Sequence, residues 1–423
     1  MPNSKKEVVR EFFQLPFEKG TQKLSLKTLN AKTEFQRVKN LLYGLKTRKV
    51  SFSREILTIG LKVGNQKEEF VYLKVGFETL YISCSVDTTA DFLGYYPYLY
   101  LINSFSFNET CNFKEFYWPD FFNTQTERSK YLDIINDRRG LDISFKPKYF
   151  FFFKPGDDLC VPKETVVYDR PSTNIKAVKA LPFNGIGFCI ADAFNGSWRS
   201  NHLPFILPYE GVVARTNDSV KTFIRFINRK NLSAFDLSPA QVALLEAGIE
   251  MQRYADLEIP KYGISSEDLS AVEQRNMAKK LSVFELWQGI IPKISLQTSL
   301  YHYFTFGGIN FKERPRKSGM RICNFHHIAP QICFLWKDRG DYYELAFRFK
   351  VKGKVMEPAP QLTTYFISPE NEPLDFYLFT DFADCLITEF FAGRKFKIYV
   401  LKKHFDIHFK DFLEMLQRDY QFI

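Results

Sequence analysis

Residues 343–352, Tyr-Glu-Leu-Ala-Phe-Arg-Phe-Lys-Val-Lys, put Leu345, Phe347, Phe349 and Val351 on one side of an extended chain and Glu344, Arg348, Lys350 and Lys352 on the other. A period of two marks a half-buried antiparallel strand, whereas a helix would repeat its apolar side chains every three or four residues. Lys352-Gly353-Lys354 supplies a turn. Residues 363–367 and 376–379 read as two further strands, with turn chemistry from Pro369 to Pro373 between them. Thr380 is placed to cap a helix that reaches Phe391 and stops at Gly393. A strand over 396–401 follows, and Phe405, Phe409, Phe412, Leu413 and Leu416 recur at helical spacing. Together these elements predict a small sheet packed with helices.

The preceding 340 or so residues divide by pattern. Leu41-Leu42-Tyr43-Gly44-Leu45 closes a helical pattern, with Lys46, Arg48 and Lys49 after it. Residues 56–63 and 70–75 form a hairpin across Gly64-Asn65-Gln66, 79–85 adds a third strand, and 129–139 reads as a helix ending near Gly140. An aromatic strand at 148–154 leads to Pro155-Gly156-Asp157-Asp158, where the chain becomes polar and proline-punctuated. Strands at 185–191 and 211–215 belong to a second unit. Ser238 caps a helix that begins at Pro239 and places Val242, Leu245 and Ile249 on one face. Another helix runs from about Ser266 to Trp287, with Glu267 and Asp268 suiting its start, and 288–331 reads as irregular. The reading is an α+β, multi-domain protein of small antiparallel sheets packed with helices. Its units are 1–155, 156–290 and 291–423.

Composition narrows the class. A chain of 423 residues, 45% hydrophobic and 25% charged, can bury sizeable cores, and its 45 Phe mostly follow core patterns. Lys and Arg exceed Asp and Glu by 58 to 48, a net charge of +10 that favours acidic partners such as nucleic acid. Seven Cys without tight spacing, and an N-terminus without an apolar leader, point to a reducing cytoplasm. No apolar run reaches the roughly eighteen residues of a spanning helix, so no membrane partner is expected.

Catalytic signatures are missing from the pattern. Gly185-Ile186-Gly187 and Phe306-Gly307-Gly308 lack the further glycine or Lys-Ser/Thr pair of a phosphate-cradling loop. His326-His327, between Cys323 and Cys333, lacks zinc spacing, and adjacent residues on a strand face opposite ways. His404 and His408 are four apart, without the glutamate of a metalloprotease helix. Asp157-Asp158 fits a turn, Asp133 with Asp137 a solvated helix face, and Glu267-Asp268 a helix start. No cofactor and no metal is expected.

Basic clusters remain. Lys46/Arg48/Lys49, Lys350/Lys352/Lys354 and Lys397/Lys402/Lys403 suit the outer faces of strands, where lysine opposes edge pairing. The cluster Lys312, Arg314, Arg316, Lys317 and Arg321 differs, because Pro315 and Gly319 place it in a loop. Aromatic neighbours Phe306, Phe311 and Phe325 could stack on bases there. Arg394 and Lys395 extend the set of candidate nucleic-acid-binding residues.

Residues 79–85, Thr-Leu-Tyr-Ile-Ser-Cys-Ser, resemble the strand that carries the first cysteines of a SWIM-type zinc finger, with Cys84 at the first ligand position. Val86 replaces the second cysteine and no C-x-H follows, so the resemblance is to a finger without its metal. Ile328-Ala-Pro-Gln-Ile332, Asp341-Tyr-Tyr-Glu-Leu345, Tyr365-Phe-Ile367 and the segments 381–391 and 403–420 are similar in order and spacing to the region preceding the motor of bacterial Swi/Snf-type helicases. The motor's Walker lysine and acidic box are not in this sequence. The resemblance implies an accessory region alone. The expected function is therefore a non-catalytic accessory or adaptor contacting nucleic acid, DNA more readily than RNA, or a helicase-type partner. The alternatives are a protein–protein scaffold subunit and a hydrolase with dispersed active-site residues.

Overall fold

The computed structural model describes residues 10–35, 44–105, 108–123, 129–161, 166–168, 183–193, 202–213, 220–228, 230–260, 266–305, 314–359, 364–370 and 373–423. The chain has an α+β architecture in two compact units: residues 1–159 with 337–344 and 398–416, and residues 160–336 with 345–397 and 417–423. The first break falls beside the Pro155–Asp158 turn. Residues 291–423 form no third unit of their own, because 337–344 and 398–416 complete the core of the first.

In the first unit, β1 (Phe13–Pro16), β2 (Lys23–Ser25) and helix α1 (Leu26–Lys32) precede a run of antiparallel strands. These are β3 (Leu45–Ser53), β4 (Ile56–Val63), β5 (Glu69–Val75) and β6 (Thr79–Cys84), joined in a sheet of order β1-β6-β5-β4-β3. The expected hairpin and third strand are present. Leu41, Leu42 and Tyr43 lie outside the described residues, and Leu45 opens β3, so Lys46, Arg48 and Lys49 decorate an edge strand. Helix α2 (Tyr95–Phe105) and β7 (Thr110–Asn112), paired with β2, follow.

The helix expected over 129–139 is instead a hairpin of β8 (Leu132–Asp137) and β9 (Gly140–Phe145). Leu132 and Ile134 find cross-strand partners in Phe145 and Ile143. The Asp137 carboxylate accepts from the Arg139 amide at 2.7 Å, and Gly140 takes φ +116°, so the chain reverses where the helix was expected to end. Asp133 and Asp137 therefore sit on a strand. The aromatic strand at 148–154 reduces to a bridge in which Phe152 pairs with Tyr399, inside an aromatic core that also holds Tyr131, Tyr149 and Tyr342.

In the second unit, β10 (Ile186–Ala193), β11 (Phe205–Val213) and β12 (Val220–Phe226) lead into α3 (Pro239–Ala255) and α4 (Ser266–Ile294). Ser238 caps α3 as expected and forms a capping box with Gln241. The buried face of α3 centres on Leu244, Leu245, Gly248 and Met251 rather than on Val242, which is exposed, because α3 lies against β11 with Gly248 at the contact. Helix α4 continues past Trp287, and the segment expected to be irregular holds β13 (Leu300–Thr305) and β14 (Met320–His326). Parallel pairing of β10 with β13 makes these strands the middle of a mixed seven-stranded sheet, β12-β11-β10-β13-β14-β19-β18.

The remaining strands are β15 (Gln331–Asp338), β16 (Tyr342–Val351), β17 (Lys354–Met356), β18 (Phe366–Ile367), β19 (Leu374–Leu378), β20 (Lys397–Leu401) and β21 (Gln421–Phe422). The alternating segment is a strand, β16, and turns at Lys352-Gly353 as expected, but it is not half-buried. It lies between β15 and β17 with β20 also paired to it, and both its faces are covered. Glu344 is buried with Arg339 at 2.7 Å and Arg348 with Glu357, so charge on this strand marks ion pairing rather than solvent. Asp381, not Thr380, caps α5 (Phe382–Ala392), through the Ala383 amide at 2.9 Å. The last helical stretch is α6 (Lys402–His404), a π-turn over Phe405–Phe409 and α7 (Lys410–Asp419).

Candidate nucleic-acid interface

The basic segment is anchored before it is charged. Pro315 is buried while Arg314, Arg316 and Lys317 are exposed. The Gly319 amide donates to the Arg316 carbonyl at 2.9 Å, closing a 3-10 turn over Lys317–Gly319. A Cβ at Gly319 would come within 2.9 Å of the Tyr303 ring, so a residue without a side chain lets the turn lie against β13. Backbone and proline thus fix the segment, and the three cations project from it. No described carboxylate forms an ion pair with any of them.

The other candidates divide by position. Lys312, Phe306 and Phe311 lie outside the described residues. Arg321 is on a strand, not in a loop: it opposes the buried His302 in register, one residue along the pleat from Ile322. Arg394 lies in a different place, at the end of α5, where its guanidinium sits 3.7 Å from the Phe390 ring centroid and donates to the Phe390 carbonyl at 2.8 Å. Lys395 follows with φ 50° in the turn to β20. Arg394 and Lys395 serve the turn of another sheet, and the structure does not join them to the segment of β14.

Several of the other basic groups are held by partners. Arg48 meets Glu68 through two bonds of 2.7 Å, Lys49 meets Glu115 at 3.1 Å, and Lys402 meets Asp338 at 2.7 Å. Lys350 donates to Gln421 at 2.6 Å.

Strand β14 continues from the basic turn as a two-sided element. Phe325 stacks on Trp287 of α4, with ring centroids 5.8 Å apart and planes 4° from parallel. Ile322, Asn324 and His326 alternate to the other side, away from α4. Parallel pairing with β19 sets Asn324 beside Asp375 and His326 beside Tyr377. Asp375 Oδ1 accepts from Asn324 Nδ2 at 3.0 Å and lies 2.8 Å from His326 Nε2. The imidazole lies flat on Tyr377, centroids 4.6 Å apart and planes 13° from parallel. In the sequence His326 stands out only beside His327 as a candidate metal ligand, because the parallel register that supplies Asp375 and Tyr377 leaves no local signal.

A second polar group was also missed. In the first unit the Asp120 amide donates to Glu55 Oε1 at 2.5 Å, while Asp120 Oδ1 and Oδ2 meet Lys403 Nζ and His404 Nε2 at 3.2 Å each. Arg54, Glu55 and Asp120 all take positive φ. Burial pushes the Glu55 carboxyl above its ordinary value against the pull of Lys74. Burial also works to raise the Asp120 carboxyl, but hydrogen bonds and charge from Lys403 and His404 outweigh it and lower it. Burial lowers the His404 pKa against Asp120.

In the turn after β6, Cys84 Sγ lies 3.0 Å from Asp87 Oδ1 and accepts from the Val86 and Asp87 amides at 3.2 and 3.3 Å. The other Asp87 oxygen holds the Tyr95 amide that opens α2. This thiol orders a turn. No grouping of three or more His, Cys, Asp or Glu suited to a metal occurs among the described residues. No described helix is long and apolar enough to cross a membrane. No family model, curated protein or solved structure matches the chain.

Proposed function

We propose that this chain is a non-catalytic accessory or adaptor protein of the cytoplasm that contacts nucleic acid, DNA in preference to RNA, in company with a helicase-type motor. One observation carries the reading: Arg314, Arg316 and Lys317 project together from an anchored turn without a described carboxylate partner, whereas Arg48, Lys49, Lys402 and Lys403 of the other basic clusters are ion-paired. Fixed cations on a rigid support suit phosphate, and the +10 net charge favours the approach of a polyanion. The pre-motor resemblance of the C-terminal segments supports the motor partner. The seven cysteines, none joined in a disulfide, support a reducing compartment.

Titration of labelled single- and double-stranded DNA and RNA at several salt concentrations tests the reading. Phosphate contacts make log K fall linearly with log salt, and the combined R314Q/R316Q/K317Q variant should flatten that slope by roughly two units. An unchanged slope and affinity in a folded variant would transfer the assignment to a protein–protein scaffold.

A further inference from the structure

His326 keeps one face of its imidazole against Tyr377 and its Nε2 against Asp375, yet its side chain is 38% exposed. The exposure therefore belongs to the opposite ring face and edge. On the same side of β14, Ile322 is 48% exposed and Asn324 is exposed. Four held features thus line one side of a two-strand ladder: an apolar side chain, a carboxamide, and a flat ring backed by a second ring. Buried stacks such as Trp287 on Phe325 belong to the core. This one is open on its outer side. Asp375 fixes the imidazole plane, and the parallel register fixes Tyr377 behind it, so the platform is formed before any ligand arrives.

The cations lie N-terminal to this platform on the same chain. From Arg321 to His326 an extended strand covers on the order of 17 Å, and Lys317, Arg316 and Arg314 precede it. That is the reach of a few nucleotides of unpaired strand, whose bases are free to stack on ring faces while the phosphates track basic groups. A duplex keeps its bases stacked inside and has no face to offer.

We infer that the exposed side of β14 at Ile322, Asn324 and His326 is a nucleobase-stacking subsite for single-stranded nucleic acid, with His326 backed by Tyr377 of β19 as the platform and Arg314, Arg316 and Lys317 as the phosphate track. The inference deepens the proposed function and rests on it. Asn324 is placed to hydrogen-bond a base edge. Asp375, being a carboxylate, repels phosphate from the platform and favours the less charged base there.

The experiment compares a short oligothymidylate, DNA and RNA versions, with an abasic oligomer of the same length and charge. Both are titrated against wild type, His326→Ala, His326→Phe and the R314Q/R316Q/K317Q variant. Wild type is expected to bind the thymidylate about tenfold more tightly than the abasic strand. H326A should erase that ratio while keeping the salt slope, H326F should restore it, and the basic triple variant should lose slope while keeping the ratio. Equal binding of the two oligomers by wild type, with a normal salt slope, overturns the stacking subsite and leaves the phosphate reading standing. Tighter binding of duplex than of single strand also overturns it. Absence of salt-dependent binding to any strand removes the proposed function and the subsite with it.

Discussion

Asp120 and His404, 284 residues apart in the chain, meet with Oδ2 and Nε2 3.2 Å apart in the first unit. The imidazole is buried, and its Nδ1 has no hydrogen-bond partner among the described residues.

Burial lowers the His404 pKa relative to an exposed histidine near 6.5, so the unfolded chain binds a proton more readily. Its contribution to stability is complete above about pH 6.5 and is lost as pH falls below it. The Asp120 carboxyl is held below its ordinary range, so its contribution is present above about pH 3.9 and fades only at lower pH. Thermal melts from pH 8 to 5 should therefore show falling stability, with a shallower fall in His404→Gln. The Tm deficit of Asp120→Asn should widen as pH falls through that range, because the Asp120 carboxylate favours the charged imidazole and its loss lowers the His404 pKa further.

Lys154 carries a second linkage of the same sign in a higher pH window. Its Nζ donates to the Tyr117 carbonyl at 3.1 Å and lies 4.0 Å from the Trp118 ring centroid, and burial pushes its pKa down to about 8. Folding therefore releases a proton between about pH 8 and the unfolded value near 10.4, and stability from this group rises across that window. Chemical denaturation of wild type and Lys154→Met at pH 7 and pH 9.5 should show wild type gaining relative to the variant at the higher pH.

The β3–β4 hairpin turns through Arg54 and Glu55, at φ 47° and 64°, a geometry usually given to Asn-Gly. Arg54→Asn should raise stability by a few tenths of a kcal/mol to about 1 kcal/mol. Glu55→Gly relaxes the same turn but removes the acceptor of the Asp120 amide, and should lower stability by about 1 kcal/mol or more. Urea melts of the two variants separate backbone relief from the loss of that bond.

Gly248 faces β11 so closely that a Cβ would sit 2.4 Å from the Ile206 carbonyl oxygen. Gly248→Ala should cost about 2 kcal/mol through displacement of α3, although alanine is the better helix former. A gain in urea midpoint would show that α3 does not rest where the structure has it.

Legibility in the sequence followed the range of the interaction. The Ser238 cap of α3, the hairpin across Gly64 and the turn at Lys352-Gly353 are written in adjacent residues, and they form as expected. Alternation located β16 but misjudged its burial, because the partners of Glu344 and Arg348, though near in sequence, leave no period. The β8–β9 hairpin carries an acidic and basic run that mimics a solvated helical face, so its sequence reads as a helix. Within the candidate site the cations were visible by composition. The platform was not, since His326 gains Tyr377 only through a parallel strand some fifty residues away.

The interrupted make-up of the first unit bears on the order of events during synthesis. Its hydrophobic core includes Tyr342, Tyr399 and Leu401, and Asp341 receives both Lys130 Nζ at 2.6 Å and the Tyr131 hydroxyl at 3.3 Å. A ribosome that has released the first 159 residues has delivered Phe152 without the Tyr399 backbone that bridges it. The amino-terminal sheet can pair early, yet its aromatic core stays open while well over two hundred further residues emerge. The first unit can therefore complete its packing only after most of the second has been made.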